Sequence, residues 1–262
     1  MARIKTPTPL YFQVSQILTE EIFRSNLASD TFLGTEESLM KRFNVSRITI
    51  RRALSDLESS GLVYREIGKG TFINNRPFEQ ELSKLTGFVE DMIEKGAKPS
   101  AKLIIERQEY PSKEIIEGLE LKKEEKVIFI ARLRLANQIP LSVDWSWIPL
   151  EIGKKIINYD LEKYPLYSLF EEKLSIEIGD AVYKIKSSIA NEVICNHLKI
   201  NKGDPLFVIN RITYASDNKP ILYEYLHYKA EKIVFSLRLK RSRPSWNRDY
   251  LNESYVHDLK SI

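Results

Sequence analysis

One cysteine, Cys195, stands in 262 residues, so no internal disulfide can form and the chain suits a reducing compartment. No apolar run approaches the ~18 residues that a membrane helix requires, and the N-terminus has no signal-peptide core. The expectation is a soluble, unexported, cytoplasmic protein with no membrane partner. Histidine is equally scarce. His197, His227 and His257 are scattered and only Cys195 lies near one of them, so a four-ligand zinc set is missing and neither metal nor cofactor is expected. No phosphate-binding loop and no nucleophile elbow is present, which removes the commonest nucleotide-hydrolysing and acyl-transferring classes.

What is present concentrates in residues 35–72. Thr35 precedes Glu36, Glu37 and Ser38 and suits the cap of a helix whose Leu39, Met40 and Phe43 face inward. Asn44 fits a turn. Ser46 suits the cap of a second helix, in which Ile50, Ala53, Leu54 and Leu57 recur at i, i+3, i+4 and i+7 and form one buried stripe. Arg47, Thr49 and Arg51 are left at the exposed front of that helix, with Arg52 at its flank. Two strand-like runs then flank Gly68-Lys69-Gly70, where glycine supplies the positive φ of a hairpin turn and Lys69 sits at the tip. Helix, turn, helix and hairpin in this order make a winged helix-turn-helix.

A helix fits the major groove of B-DNA and presents its N-terminal residues to base edges, so Arg47 and Arg51 can fork onto guanine or grip phosphate. Thr35, Ser46, Thr49, Arg52, Gly68 and Lys69 complete the expected DNA-binding set. A solvated basic face is the plainer reading of any one basic helix. Here the basic character is a stripe: residues 41–52 hold five Lys and Arg and no acid, whereas residues 1–75 are nearly balanced. At 43% hydrophobic content the length suits two modest cores. The division expected is a winged helix over 1–75, a linker over 76–82, a second domain over 83–238 and a tail over 239–262. The tail's basic Lys240-Arg-Ser-Arg-Pro-Ser-Trp246 run reads as a solvated segment.

The second domain reads as antiparallel α+β. Strand-like runs occupy 101–110, 127–136, 139–147, 181–190, 205–215 and 220–230. Helices are expected over 87–96, capped by Thr86, around 165–174 and over 191–198. Arg132 and Arg134 lie two apart on a strand and so share a face, where they suit an anion, or else pair with nearby carboxylates. Thr86 and Gly87 at one helix start and Ser168 near another offer hydroxyls and free amides to the same anion. Asp144, Glu224 and Tyr228 are the candidates for the rest of a ligand.

Residues 9–73 resemble the DNA-binding domain of the GntR family of bacterial transcription regulators. The resemblance rests on Pro9-Leu10-Tyr11, on Val45 through Leu54, on Leu57 with Gly61-Leu62-Val63, and on Gly68 through Phe72. Glu37 stands where the family usually has an arginine that touches DNA. Residues 82–236 are similar to the UTRA effector-binding domain of the HutC-type branch, a fold shared with chorismate lyase. That similarity runs through Leu85-Thr86-Gly87-Phe88, Arg132-Leu133-Arg134, Pro165 through Leu169, and Pro220 through Tyr228. Leu222 occupies the place where the family often has an acid, with Glu224 on the same face. The resemblance implies a ligand-responsive repressor that binds double-stranded operator DNA as a homodimer and is released by a small anionic metabolite such as a phosphorylated sugar. The alternative class is an enzyme of chorismate-lyase-like fold acting on a small carboxylate or phosphate, although fold alone does not confer activity.

Overall fold

The computed structural model describes residues 8–24, 30–74 and 77–241. Its first helix, α1 (Leu10–Arg24), buries Val14, Leu18 and Ile22 at intervals of four. A short strand β1 (Phe32–Gly34) leads to α2 (Glu36–Phe43), α3 (Arg47–Ser59), β2 (Val63–Glu66) and β3 (Gly70–Ile73). Thr35 accepts from the Ser38 N–H at 3.1 Å and Ser38 returns the bond to the Thr35 N–H, a reciprocal cap of the type that contributes about 1 kcal/mol. Asn44 takes the left-handed conformation, φ 52°, that ends α2. Ser46 caps α3 by accepting from the Thr49 N–H, and the predicted stripe of Ile50, Ala53, Leu54 and Leu57 lies in the core with Leu18 and Leu39. β1 and β2 flank β3 in a small antiparallel sheet. Gly68, at φ 78°, turns the β2–β3 hairpin and leaves Lys69 at its tip.

The segment expected as a plain linker over 76–82 instead carries a strand, β4 (Phe78–Glu81); residues 75 and 76 lie outside the described residues. Next come α4 (Phe88–Glu94), β5 (Pro99–Glu109), α5 (Lys113–Gly118), β6 (Val127–Ala136), β7 (Ile139–Pro149), α6 (Leu150–Ile156) and α7 (Leu166–Ser168). The described residues continue with β8 (Ile178–Ile189), α8 (Glu192–Leu198), β9 (Pro205–Ala215), β10 (Pro220–Lys229) and β11 (Ile233–Ser236). Six strands form one antiparallel sheet in the order β5-β6-β7-β10-β9-β8, and β11 pairs in parallel with β4. The α+β expectation holds, and each expected strand appears within a few residues of its bounds.

Two helix expectations need correction, and two helices are additional. Gly87, not Thr86, caps α4, and the Glu90 carboxylate accepts from the Gly87 N–H at 3.0 Å. The helix expected around 165–174 is one α-turn followed by a π-helical stretch over Leu169–Lys173. The short α5 and α6 were not foreseen, because six or seven residues carry too little periodicity to stand out.

Alternation divides the sheet cleanly. One face carries Phe129, Trp147, Tyr223 and Tyr225 beneath α5, while the other carries Ile128, Ile130, Ile148 and Leu222, packed with Leu166 and Phe170. Register sets Arg132 opposite Asp144, Arg134 opposite Ser142 and Glu224 opposite Arg211, all on that second face. Ile139, at the turn of the β6–β7 hairpin, packs against the winged-helix core. Among the described residues no helix is long and apolar enough to cross a membrane. Most of the tail over 239–262, including 242–246 of its basic run, lies outside the described residues.

Candidate DNA interface and effector cavity

The front of α3 is exposed as its apolar pattern requires, but its arginines are not idle. Arg51 Nε sits 2.9 Å from the Glu36 carboxylate at the head of α2, Arg52 stacks over the Tyr11 ring at 3.9 Å, and Lys69 pairs with Glu66 at 2.7 Å. Thr49 and Ser46 share a hydroxyl contact of 3.0 Å. Glu37, the residue at the family's arginine position, bonds Lys41, whose ammonium holds its carboxyl below the usual range; Arg47 adds to this. Of the expected set, Arg47 and Arg51 are exposed and Thr49 half-buried on α3, Gly68 and Lys69 are exposed at the wing tip, Thr35 and Ser46 are engaged as caps, and Arg52 leans toward α1. The pattern also hid two residues: Ile48 is 80% exposed beside Arg47, and Ile67 is fully exposed at the wing. Their signal was present, since Ile48 falls off the buried stripe of α3 and Ile67 stands in the hairpin turn, yet both are apolar.

The second site is built on the sheet's inner face. A cavity of about 20 Å³ is lined by Arg132, Arg134, Asp144, Arg211, Glu224 and Tyr228 from the strands, and by Gln80, Gly87 and Pro165–Tyr167 from the elements that cover them. Two ion pairs organise it. Arg134 Nε donates to Asp144 at 2.8 Å, with the Ser142 hydroxyl on the other carboxylate oxygen, and Arg211 Nε donates to Glu224 at 2.8 Å, with Ser146 beside it. Arg211 also reaches the Tyr183 hydroxyl at 3.0 Å. Three guanidiniums thus face two paired carboxylates, and Arg132 is the one left over. It is completely buried; among the described residues its Nε and Nη2 have no partner, and its sole hydrogen bond is a long one, 3.5 Å, from Nη1 to the Leu161 carbonyl. Burial, and then the charge of Arg134, pull its pKa down to about 9 against the pull of Asp144 and Glu224. It remains a cation at neutral pH, and no carboxylate among the described residues is bonded to it.

Of the expected effector set, Gly87, Arg132, Arg134, Asp144, Glu224 and Tyr228 come together. Thr86 and Ser168 do not join as donors. The Thr86 hydroxyl donates to Asp91 and its carbonyl accepts from Arg211, while Ser168 ends α7 and precedes the π-helical stretch without a side-chain cap bond, and it does not line the cavity. The sequence reading missed Arg211, Gln80 and Tyr167. Counting back from the β9–β10 hairpin would have set Glu224 opposite Arg211 but for a bulge between Pro220 and Leu222 that offsets the count. Among the described residues no cluster of His, Cys, Asp and Glu could hold a metal ion.

Family comparison agrees with both halves. Residues 10–73 match the model of the bacterial regulatory proteins of the gntR family, and residues 94–233, over half the chain, match the UTRA domain. The chain belongs to the gntR family, in its UTRA-bearing branch. A member of this family is a ligand-responsive, DNA-binding transcription regulator, so the enzyme alternative falls. Among curated relatives, the HTH-type transcriptional repressor NagR of Bacillus subtilis is 32% identical over 231 residues, 88% of this chain and 95% of that one. The probable fructoselysine utilization operon transcriptional repressor of Escherichia coli is 30% identical over 232 residues, with the same coverage. The crystal structure of PhnF from Mycobacterium smegmatis shares the fold, with a TM-score of 0.62 at 17% identity over 87% of this chain and all of that one.

Proposed function

We propose that this gntR-family regulator is a cytoplasmic repressor that binds a pseudo-palindromic operator as a homodimer and is released by a small anionic metabolite, of which a phosphorylated sugar is the best match. The observation that carries the effector half is Arg132: a buried guanidinium with two unpartnered nitrogens beside ion pairs that are already complete. A phosphate or carboxylate supplies the missing acceptors, and charge-assisted bonds of this kind are the strong ones. Gly87 N–H at the head of α4 is occupied by Glu90, so the sheet arginines carry the anion and not the helix start.

On the DNA side, Arg47 and Arg51 enter the major groove with Ser46 and Thr49 on flanking phosphates, and Lys69 reaches an adjacent phosphate. Two copies set the two recognition helices about one DNA turn apart, which is why one such helix per chain suffices. A base edge in the groove would take over Arg51 from Glu36, an exchange between exposed partners.

The test is calorimetric titration of the full chain with hexose 6-phosphates and with the matching neutral hexoses, each followed by operator binding. Binding of the phosphates alone, lost in Arg132→Met, supports the reading. A neutral sugar that binds wild type and Arg132→Met equally overturns it.

A further inference from the structure

Among the described residues only three buried side-chain atoms have no hydrogen-bond partner: Arg132 Nε, Arg132 Nη2 and Gln80 Oε1. Buried polar atoms are rarely left so, because each unmade bond costs desolvation without return. All three belong to residues lining the same cavity. Gln80 is only 5% exposed and stands on β4, the strand that leads out of the winged helix.

The amide of Gln80 can be oriented from its surroundings. Its Nε2 lies 2.7 Å from Asp91 Oδ2, and the other Asp91 oxygen takes the Thr86 hydroxyl. A carboxylate only accepts, so the nitrogen must face it, which leaves the oxygen of this cavity-lining residue as the free atom. The cavity therefore offers two free donors at Arg132 and one free acceptor at Gln80. A bare anion would satisfy only the first.

We propose that Gln80 is a specificity-determining residue of the effector site, which reads a hydroxyl or N–H donor on the same molecule whose anionic group meets Arg132, and so ties effector occupancy to the strand that carries the winged helix. The proposal rests on the anion reading above. Space decides how that tie works. At about 20 Å³ the cavity has room for roughly one water, so a metabolite must displace one of its walls. The floor is formed by β6, β7, β9 and β10, each bonded to strands on both sides. The cover is Gln80, the head of α4 and the Pro165–Tyr167 turn, and β4 has β11 as its single strand neighbour. Displacement falls on the cover. Only Asn74 through Pro77 separate β4 from the end of the wing strand β3, so a ligand that engages Gln80 acts directly on the chain entering the DNA-binding half.

A matched pair of probes tests this with the full chain. Glycerol 3-phosphate and n-propyl phosphate carry the same phosphate and differ in two hydroxyl groups, with inorganic phosphate as the minimal anion. Calorimetric titration of wild type is expected to favour glycerol 3-phosphate over propyl phosphate by about tenfold, as one satisfied buried acceptor warrants. In Gln80→Met, which keeps the side-chain length, that preference should disappear while propyl phosphate binds as before. Glycerol 3-phosphate should also weaken binding to a duplex selected from random sequence by the wild-type protein, and fail to do so for Gln80→Met. Equal binding of the two organic phosphates by wild type, itself dependent on Arg132, overturns the role of Gln80 and leaves the anion site intact. No binding of any of the three probes overturns the anion reading and this proposal together. The wild-type comparison needs no variant, so a poorly folded Gln80→Met does not spare the proposal.

Discussion

The arginines of the two halves are held by carboxylates in opposite ways. Arg51 and Glu36 meet with side chains 63% and 28% exposed, whereas Arg134 and Asp144 meet at 7% and 4%, and Arg211 and Glu224 at 7% and 2%. An exposed pair contributes little, so an acceptor on DNA can replace Glu36 at small cost. A buried pair resists separation, because removing one partner leaves the other charge uncompensated in a poor solvent. The recognition surface is therefore made of exchangeable contacts. The cavity is made of fixed ones, arranged so that among its charged groups Arg132 alone remains to be satisfied.

The largest effect should come from breaking a buried pair. Arg134→Met is expected to lower unfolding free energy by about 3–5 kcal/mol by stranding Asp144, whereas Arg132→Met should leave stability unchanged or raised, since it removes a charge that has no partner. Urea unfolding of both variants checks this, and equal losses would show that Arg132 is paired as firmly as its neighbour. Next comes Arg51→Ala, expected to weaken binding to a selected operator duplex by ~1–3 kcal/mol, the worth of a lost bidentate base contact, with little change in unfolding. Fluorescence anisotropy reads the first quantity, and wild-type affinity in the folded variant would take α3 out of the groove. Thr35→Ala removes a reciprocal cap and should cost about 1 kcal/mol of stability by the same urea measurement. Smallest is Lys69→Ala, which should weaken all duplexes about equally and flatten the salt dependence by roughly one unit of log–log slope. Unequal loss across operator variants would mean that the wing tip reads bases, and would point to Ile67 beside it.

The sequence was most legible where local rules act alone. Thr35, Asn44, Ser46 and the α3 stripe each obey a cap, turn or periodicity rule that needs no knowledge of distant residues, and each is found as expected. The strands of the sheet were legible for the same reason, and so was the shared face of Arg132 and Arg134. What escaped depends on pairing at a distance. β4 and β11 are four residues each and form only because they find one another, and Arg211 gains meaning only through its register with Glu224. Thr86 was misjudged because its hydroxyl has a competing acceptor, Asp91, five residues on, which a reading of helix starts does not weigh.

The parallel pairing of β4 with β11 also bears on the order in which the molecule is made. β4 emerges from the ribosome directly after the wing, but its partner β11 follows only after the entire six-stranded sheet has been synthesised. A winged helix with its own core and its own caps can fold while the rest is still being translated. Parallel pairing across so long a stretch of chain is a late event, since the loop must close before any contact compensates for its entropy. A nascent chain thus acquires a folded DNA-binding unit before it acquires the clasp that ties that unit to the effector domain, and control by the metabolite is the last property the protein gains.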